Sequence, residues 1–179
     1  MNIHTINDLN NHKVVDILKN GLSKVTDQKI LANYHPDFEN TSGNLFYIIK
    51  EGRYKVGNYF IMEENGEYAG SAGWNKYEDV ALVLTRAFVP LGHRQKYNMA
   101  KYLLPIMFDQ THDYNRLWIT CNDYNYVIYQ ALIRLQQGKS AGLFAPWPEI
   151  YKNFVPIGKK IVNYTEQYVA EYSRMNSVL

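Results

Sequence analysis

The chain has 179 residues, 46% of them apolar and 20% charged, which is enough for one domain with a substantial core. Its 19 basic groups stand against 17 acidic ones, a net charge of +2, which argues against a dedicated nucleic-acid binder. Cysteine occurs once, at Cys121, which excludes an intramolecular disulfide framework and a cysteine-rich zinc site.

The opening "MNIHTINDLNNHKVV" is too polar for a secretory signal, and no apolar run reaches membrane-spanning length. A soluble cytoplasmic protein without membrane attachment is expected. "NDLNNHKVVDILKNGLSKV" places Val14, Val15, Leu18, Leu22 and Val25 at helical intervals, with Asp8 or Asn7 as the expected cap. "TDQKILANY" and "GNLFYIIKEGRYK" read as further short helices. The period then changes. "YFIMEE" and "EYAGSAGW" read as strands joined through Asn65-Gly66, a pair suited to a tight hairpin. "NKYE" is the next expected turn, and "DVALVLTRAFV" a long third strand.

"KYNMAKYLLPIMFDQ" reads as a helix with Met99, Leu103, Ile106 and Met107 on one side; Pro105 predicts a kink or an early end. "RLWITCN" is rich in strand formers, and "NYVIYQALIRLQQG" predicts a helix that stops at Gly138. "AGLFAPWPEIY" reads as a loop stiffened by prolines, and "KKIVNYTEQYVAEYS" as one or two last strands. The predicted fold class is α+β, a mixed, mostly antiparallel central sheet flanked by helices, in a single domain over residues 1–179.

The segment "RAFVPLGHRQKYNMAKYLLPIMF" sets His93, Arg94 and Lys96 where a strand gives way to a helix. A helix start exposes unpaired N–H groups and carries partial positive charge, so a phosphate fits there and nearby cations strengthen the site. The plainer alternative is a solvated loop with a few charges.

From Asn58 to Ser173 the order of elements resembles the GNAT acyltransferase superfamily, whose members transfer an acyl group from acyl-coenzyme A to an amine. The family's signature is Arg or Gln, two residues, Gly, one residue, then Gly or Ala. "QKYNMA" sets Gln95, Asn98 and Ala100 in those places, and Leu103 and Leu104 follow as the usual apolar pair. Asn98 stands where the family has glycine; a register starting at Arg94 would put Tyr97 and Met99 at the small positions. After "LWITCN", Asn122, Asn125 and Tyr129 match an asparagine after the family's fifth strand, a second on the next helix and a tyrosine four residues on. The segment after Tyr129 is longer than the family's usual Gly-Phe stretch.

The resemblance implies acetyl-CoA as acyl donor, an amine on a small molecule or peptide as acceptor, and no metal. It implies that Ala87, Phe88 and Val89 orient the pantetheine arm. Arg94, Gln95, Lys96, Tyr97, Asn98, Met99 and Ala100 would hold the pyrophosphate, with Asn122 and Asn125 also on the coenzyme. Tyr129 would protonate the departing thiolate, or else be one packing residue among 16 tyrosines. A non-catalytic binding or assembly protein with the same fold is the alternative, and a homodimer is compatible with the strand-rich C-terminal end. Arg86 interrupts an apolar strand and either contacts an anionic part of acceptor or coenzyme, or covers apolar surface with its stem. Trp147, with Phe144, would wall the acceptor pocket or pack under the loop. Cys121 reads as a nucleophile or a small buried residue. Asp109, His112 and Asp113 read as metal ligands or solvated capping groups, and Glu78 and Asp79 as carboxylates held in a turn.

Overall fold

The structure, a computed structural model, describes residues 1–23, 52–89, 99–122, 126–140 and 149–174. Its strands are β1 (Asn2–His4), β2 (Gly57–Glu64), β3 (Glu67–Tyr77), β4 (Val80–Phe88), β5 (Arg116–Cys121), β6 (Val155–Val162) and β7 (Thr165–Ser173). Its α-helices are α1 (His12–Ser23), α2 (Met99–Gln110) and α3 (Tyr126–Gln136). The strands form one mixed sheet in the order β1-β2-β3-β4-β5-β7-β6. The chain divides into two compact units, Met1–Lys76 with Leu84–Met99, and Tyr77–Val83 with Ala100–Leu179.

In the first unit, Asn65 and Gly66 both take positive φ, 53° and 81°, as a tight hairpin requires. α1 begins after Asn11, whose side chain accepts from the Lys13 amide at 3.0 Å. Thr5 and Asp8 instead form a capping box on a separate 3-10 turn, Ile6–Asn10. The cap expected at Asn7 or Asp8 is therefore displaced, because that turn takes up the first part of the polar stretch. Val14 and Leu18, one helical turn apart, are buried with Ile6, Leu9, Tyr54, Tyr59, Ile61 and Tyr68. β1 pairs with β2 from Asn2↔Glu63 to His4↔Ile61, a strand too short to show a period in the sequence. β3 runs through Tyr77, so "NKY" is strand and the turn falls at Glu78 (φ 52°) and Asp79. "TDQKILANY" and most of "GNLFYIIKEGRYK" lie outside the described residues.

In the second unit, β5 pairs antiparallel with β7 from Arg116↔Ser173 to Cys121↔Tyr168. β6 and β7 form a hairpin turning at Asn163 and Tyr164, both at positive φ. That makes two strands of the last segment, joined by a turn without glycine. α2 continues past Pro105 to Gln110, so the proline does not end it; Leu103, Leu104 and Met107 are buried. α3 ends as expected at Gly138 (φ 72°): Gly138 N–H bonds to Leu135 C=O and Lys139 N–H to Arg134 C=O, a Schellman pair. Among the described residues no helix is long and apolar enough to cross a membrane.

The C-terminus of α2 is closed by a residue from the end of β7. The Arg174 guanidinium donates to the carbonyls of Phe108 and Tyr114, each at 2.7 Å, and to that of Thr111. A cationic donor suits the Phe108 carbonyl, in the last turn of α2, because of the helix dipole, and the other two bonds tie down the turn that follows. Arg174→Met keeps much of the stem over Phe108 and removes the fork. Because the group is partly exposed, the expected loss is about 1–2 kcal/mol, a fall in Tm of about 2–8 °C by calorimetry. An unchanged Tm would show that water replaces these bonds without cost.

Candidate functional site

The strand that leads into the basic loop is irregular. Leu84 and Arg86 take φ of 55° and 48° inside β4. Positive φ in bulky non-glycine residues costs about 1–3 kcal/mol each, and it persists only where the surroundings hold it. Parallel pairing of β4 with β5 is found at Ala81↔Leu117 and Leu82↔Trp118, both before these two residues. Arg86 is half-buried, and burial pulls its guanidinium down to about 10, so it stays charged at neutral pH. Ala87, Phe88 and Val89 follow it, all half-buried.

Hydroxyl groups hold this end of β4. Tyr54 Oη lies 2.9 Å from Thr85 Oγ1, both buried. Tyr68 Oη donates to the Phe88 carbonyl at 3.1 Å and lies 2.5 Å from Ser71 Oγ. Tyr59 Oη lies 2.8 Å from Ser71 Oγ and reaches the Arg86 carbonyl at 3.4 Å. Small residues in β3 leave room for these rings: a Cβ on Gly73 would stand 2.4 Å from the Tyr54 ring. None of these hydroxyl residues was marked by sequence reasoning. The signal present was the run "AGSAG" opposite a tyrosine-bearing strand.

In the second unit, Asn122 directly follows β5 and is half-buried. Tyr129, on α3, is buried. Its hydroxyl oxygen accepts from the Gly158 N–H at 2.9 Å. Gly158 (φ 87°) sits at an irregularity in the register of β6 on β7, between Pro156 and Gly158, which turns that amide out of the ladder. With its oxygen engaged as acceptor, the phenol retains its own O–H to donate. Tyr126 and Tyr168 flank the ring at 6.0 and 5.1 Å between centroids.

Burial pushes the Cys121 thiol up to about 12, against a backbone bond from Tyr129 that draws it down. The thiol stays neutral at physiological pH, so the buried-residue alternative holds and the nucleophile does not. A thiol reagent at pH 8 is expected to leave the folded protein unlabelled and to modify one group after denaturation. Rapid labelling of the folded protein would contradict this burial. His112 bonds the Asp109 carbonyl at 2.9 Å and pairs with Asp113 at 3.2 Å. Among the described residues no cluster of metal-type ligands occurs. Asp79 is held by Arg116 at 2.5 Å in the turn.

Of the expected site residues, Arg86, Ala87, Phe88 and Val89 lie together at the end of β4, and Asn122 and Tyr129 belong to the second unit. Met99 and Ala100 open α2. Arg94, Gln95, Lys96, Tyr97, Asn98, Asn125, Phe144 and Trp147 lie outside the described residues.

No family model matches the chain, and no curated protein matches it. Solved structures do. An N-acetyltransferase from Staphylococcus aureus Mu50 is 17% identical, with a TM-score of 0.55 over 97% of this chain and 99% of that one. Escherichia coli ElaA is 10% identical, with a TM-score of 0.55 over 97% of this chain and 100% of the other. The PaiA N-acetyltransferase of Thermoplasma acidophilum, solved in complex with coenzyme A, is 12% identical, with a TM-score of 0.51 over 97% and 99%. At such identities the likeness is one of backbone and topology. The likeness extends over nearly the whole of each chain: the chain has the fold of the GNAT N-acetyltransferases, a mixed seven-stranded sheet flanked by helices.

Proposed function

We propose that residues 1–179 act as one acyl-CoA-dependent N-acyltransferase domain, with acetyl-CoA as donor and an amine as acceptor. The observation that carries this reading is the strained end of β4, whose Phe88 carbonyl is held from one side by Tyr68; in the sequence His93, Arg94 and Lys96 follow it, ahead of α2. That fits a ligand with an extended amide-bearing arm and a pyrophosphate: a strand backbone suits the first and a basic helix start the second. The family resemblance and the coenzyme-bound PaiA neighbour support the same donor.

Acyl-coenzyme A supplies an activated thioester. In this reading the backbone of Ala87 to Val89 orients the arm. Residues from Gln95 to Ala100 hold the pyrophosphate, with charge from Arg94 and Lys96, and Asn122 and Asn125 add polar contacts. The neutral acceptor amine bonds to the thioester carbonyl carbon and the carbon–sulfur bond breaks. Tyr129 gives its proton to the sulfur, and the amine's proton leaves through water. Arg86 contacts an anionic part of acceptor or coenzyme, and Trp147 borders the acceptor. The protein works in the cytoplasm.

Asn98 at the glycine position favours a second reading, a non-catalytic binding or assembly protein of the same fold that has lost tight coenzyme A binding. Acetyl-CoA at about 100 times its Kd is expected to stabilise the protein by about 2.7 kcal/mol, visible as a rise in Tm. No shift at millimolar acetyl-CoA would overturn the acyltransferase reading and favour the second; a shift without turnover on any amine would also remove the enzyme.

A further inference from the structure

The hydroxyls behind β4 form a chain with a direction. Three protons serve Tyr59, Ser71 and Tyr68. Tyr68 donates to the Phe88 carbonyl at 3.1 Å. The 2.5 Å contact between Ser71 and Tyr68 then takes its proton from Ser71. The 2.8 Å contact between Tyr59 and Ser71 takes its proton from Tyr59, with a longer reach to the Arg86 carbonyl at 3.4 Å. Every proton is used, and such chains strengthen each member. All three residues are buried, at 0–4% exposure, so water does not substitute for a deleted hydroxyl without cost.

The chain ends on the strand segment just after the strained Arg86. Along an extended strand, successive N–H and C=O groups point to opposite edges. Fixing the Phe88 carbonyl towards Tyr68 at the end of β4 therefore leaves the backbone groups of the preceding Ala87 for the other edge. The Tyr68 ring also stacks on Phe88, with centroids 6.1 Å apart.

Resting on the acyltransferase reading, we infer that Tyr68, itself oriented by Ser71 and Tyr59, is a positioning residue for the acyl donor. The hydroxyl chain fixes the edge of β4 that receives the pantetheine arm. It holds the arm alone and not the nucleotide, which the basic loop binds.

The test is titration calorimetry with two probes, acetyl-CoA and its armless fragment, 3′-phosphoadenosine 5′-diphosphate. Tyr68→Phe and, separately, Ser71→Ala are expected to weaken acetyl-CoA at least tenfold while leaving the armless fragment within twofold. A purely structural role would lower Tm and leave the ratio of the two affinities unchanged. Ser71→Thr, which restores a hydroxyl, is expected to recover most of the acetyl-CoA affinity. Wild-type protein that binds acetyl-CoA, with variants whose ratio equals wild type, overturns this inference alone. Wild-type protein that binds neither probe overturns the acyltransferase reading, and this inference with it.

Discussion

Replacing Tyr129 with phenylalanine is expected to lower turnover by about 10²–10⁴ while acetyl-CoA affinity stays within about twofold, the usual scale for loss of a general acid. The substitution removes one oxygen and keeps the buried ring between Tyr126 and Tyr168. The Gly158 N–H makes the reading specific. By donating to the phenol oxygen at 2.9 Å, it fixes the hydroxyl's position and leaves its O–H free to point away from Gly158. A neutral phenol also brings no formal charge into a buried place. The same Gly158 contact offers the competing account, in which Tyr129 ties α3 to β6 and does nothing else. The two accounts separate on Tm and rate. A tie alone predicts a stability loss of about 1 kcal/mol with turnover near normal. That result would return Tyr129 to packing and assign the sulfur's proton to water or another donor.

The second large effect is expected at the basic loop. Arg94→Ala combined with Lys96→Ala should weaken coenzyme A by about 10–10³-fold at low ionic strength, with the difference shrinking as salt is added. Charge-assisted bonds to phosphate are worth about 1.5–3 kcal/mol each before the discount for solvent. A pantetheine thioester lacking the pyrophosphate should be used equally by wild type and variant. This contrast assigns the loss to phosphate recognition and not to a general change in the fold. Unchanged coenzyme affinity in the double variant would remove both side chains from the site, leaving the α2 backbone as the phosphate holder.

How far the sequence carries depends on which force decides each element. Strong periodicity decided the well-read ones: Val14 and Leu18 face the core as their spacing requires, and Asn65-Gly66 makes the hairpin its backbone freedom favours. Local competition decided the misread ones. Thr5 and Asp8 capped a 3-10 turn ahead of the helix, and β3 extended through "NKY" because pairing with β2 reaches Asn75. The turn at Asn163 and Tyr164 carries no glycine, so two strands looked as if they could be one.

Within the candidate site, Tyr129 and the end of β4 stand out in the sequence through residues at the spacing of the GNAT family's motifs. The hydroxyl chain does not, because Tyr59, Ser71 and Tyr68 become neighbours only through the β2–β3 register, where Ile61 lies opposite Ser71 and the ladder slips at Met62 and Glu63. A tyrosine in a strand reads the same in sequence whether its hydroxyl faces water or a buried carbonyl. Nor does any local preference announce positive φ at Leu84 and Arg86; tertiary contacts impose it.

Acetyl transfer is read out by the acetylated amine formed from isotope-labelled acetyl-CoA, detected by mass spectrometry across small amines and peptides bearing free amino groups. An N-acyltransferase gives an enzyme-dependent product with the label on nitrogen, one free thiol released per acetyl transferred, and loss of both in Tyr129→Phe. Saturable binding of acetyl-CoA with no labelled amine from any acceptor, and no thiol released above the uncatalysed rate, would contradict acetyl transfer.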